Sequence, residues 1–287
     1  MHKSVLLKEV VSGLSPKAGS VIVDGTSGDG GHSLALCQAS EGRATIIGMD
    51  MDGKSLEAAK EKLAGAPCRF HFVEENFRNL DKAMDGLGHK RVDAIILDLG
   101  LSTRQLESSG RGFSFQRKDE PLLMTFKENP GEDDLTAREI LNEWDEKNIA
   151  DIIFAYGEDG RARKIAGAIA EWRKTKSFKT TGDLLEAIGK VLPKGGRIHP
   201  ATKTFQALRM AVNDEHRALK EGLQKGFERL SAGGRMAVIS FHSVEDREVK
   251  RFFKEKEKRG KAVLINKKVI APGKRELSEN KRARSAK

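Results

Sequence analysis

Residues 21–31 read Val21-Ile22-Val23-Asp24-Gly25-Thr26-Ser27-Gly28-Asp29-Gly30-Gly31, and 26 residues after Asp24 a second apolar run, Ala44-Thr45-Ile46-Ile47-Gly48-Met49, ends on Asp50. A buried strand ending on an acid, a glycine-rich turn and a second strand tipped with a carboxylate make a βαβ unit that cradles a nucleoside. The glycines let the backbone bend sharply and approach a ligand where a Cβ would stand in the way. Asp50 is placed to accept hydrogen bonds from a ribose diol. The turn departs from the G-x-G-x-x-G of dinucleotide enzymes, in which a helix N-terminus receives a pyrophosphate. Glycines alone also suit a tight structural turn; the carboxylate at position 50 favours a nucleoside-type cofactor.

Outward from this unit the same rhythm continues. Short runs rich in Val and Ile at 20–24, 44–50, 68–73 and 92–99 alternate with helical patterns, which predicts a parallel sheet with crossover helices. The fourth run, Ile95-Ile96-Leu97-Asp98, puts Asp98 at a carboxyl edge, where open α/β sheets bind ligands. From about 103 to 214 the strands stop. Apolar spacing predicts helices at 137–144, 149–156, 163–173, 182–192 and 204–219. The next strand is expected at 235–241, a gap of about 135 residues and far more than one crossover needs. The expected architecture is therefore an α/β domain, residues 1–108 with 215–287, interrupted by an all-helical domain at 109–214. Residues 262–268 and 269–271 are expected to add a last, antiparallel edge.

The chain has 287 residues and a net charge of +10, unevenly spread. Residues 247–287 hold 16 Lys/Arg against 5 Asp/Glu, a net of +11, so the rest sums to about −1. A one-signed excess on this scale favours a polyanion over a merely solvated tail, because neutralised phosphates release counterions. Arg282 and Arg284 are candidate contacts to such a substrate. Cys37 and Cys68 lie in unrelated segments and form no C-x-x-C. They are expected to be buried hydrophobes of a reducing compartment, neither metal ligands nor a disulfide. No apolar stretch approaches the ~20 residues of a membrane span, so a cytoplasmic protein is expected. No metal site is expected, and no G-x-S-x-G nucleophile motif is present.

Four positions converge at the carboxyl edge of such a sheet: the turn running Asp24-x-x-x-Gly28-x-Gly30-Gly31-His32, Asp50, the Asn76-Phe77 pair, and Asp98. The turn is closest to the acidic-then-glycine loop of S-adenosylmethionine binders. Gly30, Gly31 and His32 would approach the methionine part, Asp50 the ribose and Phe77 the adenine, with Asp98 near the transferring methyl. Singly, each has a plainer explanation: Phe77 as core, Asp98 or His32 as a helix cap. Their joint placement favours the site. The segment Arg111-Gly112-Phe113-Ser114-Phe115 suits either base stacking beside a phosphate or a buried loop anchor. His242 suits a proton acceptor or, better by its spacing, a hydrogen-bonded structural histidine.

Along nearly its whole length the chain resembles the bacterial small-subunit ribosomal RNA (cytosine-N4)-methyltransferases, the MraW family. The matching stretches are Val5-Leu6-Leu7-Lys8-Glu9-Val10, the 24–33 turn, Asp98-Leu99-Gly100-Leu101-Ser102 with Gln105, 111–115, 153–158, 198–209 and 238–246. The C-terminal Arg282-Ala283-Arg284-Ser285-Ala286-Lys287 is similar as well. The resemblance implies a class I, Rossmann-like fold with an inserted helical domain, and methylation of a decoding-site cytidine in 16S rRNA of the small subunit. It implies contacts to S-adenosylmethionine from Gly30, Gly31, His32, Asp50, Phe77, Asp98 and Gln105.

The chain departs from the family at Leu123 and Thr125, where an acid and a base are usual, and at Asp159-Gly160 in place of Glu-Arg. These departures bear on the substrate side. Asp98 is the candidate acceptor for the target amine, and Phe113 or Trp144 the candidate platform for the flipped base. A nicotinamide oxidoreductase is disfavoured by the turn. A non-catalytic RNA-binding assembly factor is the alternative that the departures keep open. A monomer and a homodimer both suit the sequence.

Overall fold

A computed structural model describes residues 4–192 and 199–287. In chain order the elements are α1 (Leu7–Leu14), β1 (Val21–Asp24), α2 (Gly31–Ala39), β2 (Thr45–Asp50), α3 (Gly53–Leu63), β3 (Arg69–Glu74), α4 (Leu80–Gly86) and β4 (Val92–Asp98). There follow α5 (Thr103–Glu107), α6 (Ala137–Glu143), α7 (Glu146–Gly157), α8 (Ala162–Arg173), α9 (Thr181–Gly189) and α10 (Thr202–Val212). The chain ends with α11 (Glu215–Arg229), β5 (Leu230–Ile239), α12 (Ser243–Lys258) and α13 (Lys274–Glu279). Two compact units result: residues 1–100 with 216–287, and residues 101–215. Residues 101–108, expected in the α/β part, fall in the helical unit because the chain leaves the sheet directly after β4.

In the first unit every strand pair is parallel and the order is β3-β2-β1-β4-β5. Strands buried on both faces must be apolar on both, and successive side chains alternate between them. Ile22, Ile46, Ala94 and Ile96 accordingly enter one core with Leu36 and Cys37 of α2. Their neighbours Val23, Ile47, Ile95 and Leu97 enter the opposite core with Leu80, Met84, Leu219 and Leu223. The chain grows from β1 outward through β2 and β3, then restarts on the other side with β4. That reversal opens a crevice at the carboxyl ends of β1 and β4, where Asp24 and Asp98 sit.

Three expectations are corrected here. Among the described residues no strand forms at 262–268 or 269–271, and β5 has no partner on its outer side. Asn266 donates its side-chain N–H to the Lys268 carbonyl and turns the segment instead. The single helix expected at 204–219 is two, because Asp214 takes a left-handed backbone with φ 47° and separates α10 from α11. Cys37 and Cys68 are joined as a disulfide with their Cα atoms 5.8 Å apart. Sequence distance concealed this contact: the parallel crossover brings the last turn of α2 beside the start of β3.

The helical unit has its own core of Leu122, Met124, Ile140, Ile153, Ile165 and Phe178, among others. Thr136 and Thr180 cap α6 and α9 with reciprocal side-chain bonds to Glu139 and Asp183, signatures of helix starts. Helix α7 lies so close to α10 that a Cβ on Gly157 would stand 2.7 Å from the Lys203 carbonyl oxygen. The family block at 198–209 is carried by α10 and the residues before it, apart from Ile198, which lies outside the described residues.

Gly157→Ala should destabilise the protein by about 2 kcal/mol or more, read from chemical denaturation, since the obstacle is backbone and neither helix yields freely. Reduction of Cys37–Cys68, which are 31 residues apart, should lower the melting temperature through a loss on the order of 3 kcal/mol. A melting curve insensitive to reductant would show that the pair contributes nothing.

Candidate active site

The crevice is built from three strand ends. Gly25 donates its amide to the Ile96 carbonyl at 3.0 Å, and the Asp98 amide donates to Thr26 Oγ1 at 2.6 Å. The turn after β1 is therefore tied to the end of β4. Asp24 is buried, its Oδ2 accepting from Ser33 Oγ at 2.7 Å. Asp50 closes the turn from β2: Oδ2 accepts from the Gly28 amide and Oδ1 from the Asp52 amide, each at 2.9 Å. These bonds hold the carboxylate in one orientation and leave further lone pairs on each oxygen.

Glycine is required at two places in this turn. Gly30 has φ +78°, and a Cβ there would lie 2.8 Å from Leu63 Cδ1. A Cβ on Gly31 would lie 2.0 Å from Ser4 Oγ. Phe77 opens a short 3-10 turn after β3. Its ring packs so tightly on α11 that a Cβ on Gly222 would be 2.5 Å from Phe77 Cδ2. The half-buried Phe77 thus packs on the core beside α11.

His32 is buried on the first turn of α2, with Nε2 3.4 Å from Asp98 Oδ2. Burial opposes the charged imidazolium, but the carboxylates of Asp98, Asp24 and Asp29 outweigh it and hold His32 above its ordinary range. Burial likewise raises Asp24, against the opposing pull of His32. The same effect pushes Asp50 up to about 6 despite its two amide donors. Four polar atoms of the crevice, Asp98 Oδ1, Ser27 Oγ and both ring nitrogens of His32, are buried without a hydrogen-bond partner. Buried polar atoms cost free energy unless they are paired, and four together mark a pocket for a polar ligand. The donor set, a carboxylate for a diol and a close glycine backbone, fits S-adenosylmethionine.

The remaining sequence candidates are placed as follows. Gln105 lies in the helical unit, where its side-chain oxygen accepts the Ser102 amide at 2.9 Å in a capping box on α5. Arg111 and Phe113 are buried in that unit: the guanidinium bonds the Phe126 carbonyl, and Phe113 stacks on Phe126 at 5.9 Å. Phe115 stacks on His199 at 4.2 Å. Of the two explanations for residues 111–115, the buried anchor holds, which removes Phe113 as a base platform. Trp144 is half-buried at the end of α6, and its carbonyl accepts from Arg173. His242 caps α12, with Nδ1 accepting from the Glu245 amide and Nε2 2.9 Å from Glu245 Oε1, the structural role that its spacing favoured. Asp98 caps nothing, since Ser102 serves α5. Arg282 and Arg284 belong to an ordered 3-10 turn whose Ala283 and Ala286 are core residues, so the basic C-terminus is no loose tail.

Thr26, Ser27 and Ser33 were not singled out in the sequence. Their signal was there in hydroxyl residues interleaved with the acid-glycine turn, where short donors can fix carboxylates.

The model of the MraW methylase family matches residues 1–287. The chain belongs to that family. This methylase is 44% identical over 287 residues to the ribosomal RNA small subunit methyltransferase H of Dictyoglomus thermophilum, covering 100% of this chain and 95% of the relative. It is 43% identical to the protein of that name from Persephonella marina, covering 100% and 97%. An rRNA methylase structure from Streptococcus thermophilus overlaps 88% of this chain and 81% of its own, at a TM-score of 0.40 and 12% identity. Membership makes the chain a class I methyltransferase with S-adenosylmethionine as its cofactor.

Asp50→Ala should weaken S-adenosylmethionine binding by about 10- to 100-fold, the scale of one or two charge-assisted hydrogen bonds, by isothermal titration. Affinity should also follow the charge of Asp50. The carboxyl is neutral below about 6 and ionised above it, so binding strengthens as pH rises from 5 to 7 and then levels. The raised value means that ionisation opposes folding: stability from the neutral form is full below the unfolded carboxylate value and lost as pH rises through about 6. The cofactor should therefore raise the melting temperature more at pH 7.5 than at pH 5. An equal increment at both would exclude Asp50 as the ribose acceptor.

Proposed function

We propose that this methylase transfers a methyl group to the exocyclic N4 of a cytidine in the decoding region of small-subunit 16S rRNA, in the cytoplasm, with the small subunit or its RNA as partner. What supports it is identity of 42–44% along the entire chain to proteins named as small-subunit rRNA methyltransferases, together with the buried, unpartnered Asp98 Oδ1 at the end of β4. Among the described residues no helix is long and apolar enough to cross a membrane.

S-Adenosylmethionine supplies an electrophilic methyl on a sulfonium. The chain's share is positioning and electrostatics, because the N4 lone pair of cytosine is delocalised into the ring and attacks poorly. Asp98 accepts a hydrogen bond from the amine as positive charge develops on nitrogen. His32 Nε2 lies 3.4 Å from the other carboxylate oxygen, and the bond from the Asp98 amide to Thr26 fixes the backbone beneath it. The base must be single-stranded or flipped, since a paired N4 is out of reach. Trp144, half-buried, is the aromatic candidate left to stack it.

The departures at Leu123 and Thr125 do not revive a non-catalytic assembly factor. Thr125 is buried and Leu123 half-buried within the helical unit, and relatives 42–44% identical along the entire chain are named as methyltransferases. Asp159, another departure, is buried and gripped by Arg161 at 2.9 and 2.7 Å, an internal structural pair.

Small subunits from a strain lacking its own enzyme, incubated with methyl-labelled cofactor and digested to nucleosides, should yield N4-methylcytidine. Label in any other nucleoside, or none, would overturn the assignment. Asp98→Asn should slow transfer by about 100-fold or more while leaving cofactor affinity within a few-fold of the parent.

A further inference from the structure

Along the outer side of β5 runs a groove of 1560 Å³, lined by β5 itself, α1, the end of α11, one face of α12 and the segment 260–270. None of Gly30, Asp50, Phe77 and Asp98 takes part in it. Ten Lys or Arg residues line it against three Asp or Glu. Several of these cations are already used: Lys250 and Lys287 share Asp246, and Arg235 donates to the Gly13 carbonyl. Five are not: the exposed ammonium groups of Lys8, Lys254, Lys261, Lys267 and Lys268 make no hydrogen bond or ion pair among the described residues.

The groove's wall holds a further cation of another kind. Lys256 is 6% exposed, its ammonium 5.0 and 4.8 Å from the ring centroids of Phe227 and Phe252, and it donates to the neutral Gln224 Oε1 at 2.7 Å. Aromatic faces stabilise a buried ammonium without cancelling its charge as a carboxylate would. A fixed positive potential therefore persists beside the mobile lysines. Apolar surface is interleaved with this charge: Val263 and Ile265 are 85% and 61% exposed, and the Phe253 side chain reaches the groove. Beyond them the unpaired edge of β5 offers backbone donors and acceptors.

We infer that this groove is a second RNA-binding surface, which takes a single-stranded segment away from the methylated base. Clustered, unpaired cations suit phosphates, and exposed apolar and aromatic surface suits unstacked bases, the combination that holds single strands without reading sequence. An acidic protein segment would match the charge but make no use of the flat apolar surface between the lysines. The inference rests on the proposal that the substrate is RNA, and it concerns affinity, not the chemistry of transfer.

The test compares the full-length protein with the Lys261→Glu/Lys267→Glu/Lys268→Glu variant. Fluorescence anisotropy with a labelled single-stranded RNA of about 12 nucleotides should show binding weakened at least about tenfold, and a log–log salt slope shallower by about 2. S-Adenosylmethionine affinity should be unchanged, as should methyl transfer at saturating RNA. Unchanged RNA affinity and slope would overturn the inference, and so would a polyglutamate peptide that displaces the RNA at equal charge concentration. Should the variant misfold, photo-crosslinking of a 4-thiouridine RNA to the unaltered protein decides: crosslinks within 224–270 support the groove, and crosslinks confined to 101–215 refute it. RNA binding at the groove without N4-methylcytidine formation would sink the proposed reaction and leave the groove standing.

Discussion

The 2.6 Å hydrogen bond from the Asp98 amide to Thr26 Oγ1 joins two strand ends that belong to opposite halves of the sheet. The rest of the crevice depends on it. Parallel strands start and stop in register only where something defines their ends, and here the turn after β1 is fastened to the end of β4. Ser33 then fixes Asp24, Asp50 fixes Gly28, and His32 is left facing Asp98. Buried acids and a buried imidazole are gathered at one sheet edge, with four polar atoms still unmatched. A folded chain maintains such a cluster only because the surrounding strands are packed on both faces.

Much of this was legible in the sequence for a plain physical reason. Short Val/Ile runs that end on acids have few alternatives to buried parallel strands, so β1 to β4 and their terminal carboxylates could be placed from residue pattern alone. The contacts across the sheet were less accessible. The Cys37–Cys68 pair, the His32–Asp98 pair and the tie between Thr26 and Asp98 are set by how strands lie beside each other, and sequence spacing carries no record of it. Aromatic residues were the least readable. Phe113 and Phe115 have the composition of a base-stacking loop, yet they are spent on Phe126 and His199. The break at Asp214 was invisible for another reason: Asn213 and Asp214 interrupt no apolar periodicity, and only the left-handed backbone at Asp214 ends the helix.

The basic C-terminal region shows how composition and conformation can separate. Its charge pointed to a polyanion partner and said nothing of its conformation. In the fold, Ala283 and Ala286 are buried with Val5 and Val10, Glu276 accepts the Leu6 amide, and Lys287 exchanges two backbone bonds with Ser240. Charge on such a segment is carried at defined positions. The basic residues of the last turn are thus held beside the end of β5.

The split of the first unit into residues 1–100 and 216–287 has a consequence for how the molecule is made. During synthesis β4 emerges well over a hundred residues before β5, its parallel neighbour. The helical unit between them is continuous in sequence and rich in local contacts, so it can fold first. Until β5 arrives, β4 is an edge with open backbone groups and a run of Ile and Leu on both faces. A nascent chain stalled in this interval carries an adhesive strand, and protection of that strand by a chaperone, or by fast translation through 101–229, becomes a requirement of the topology.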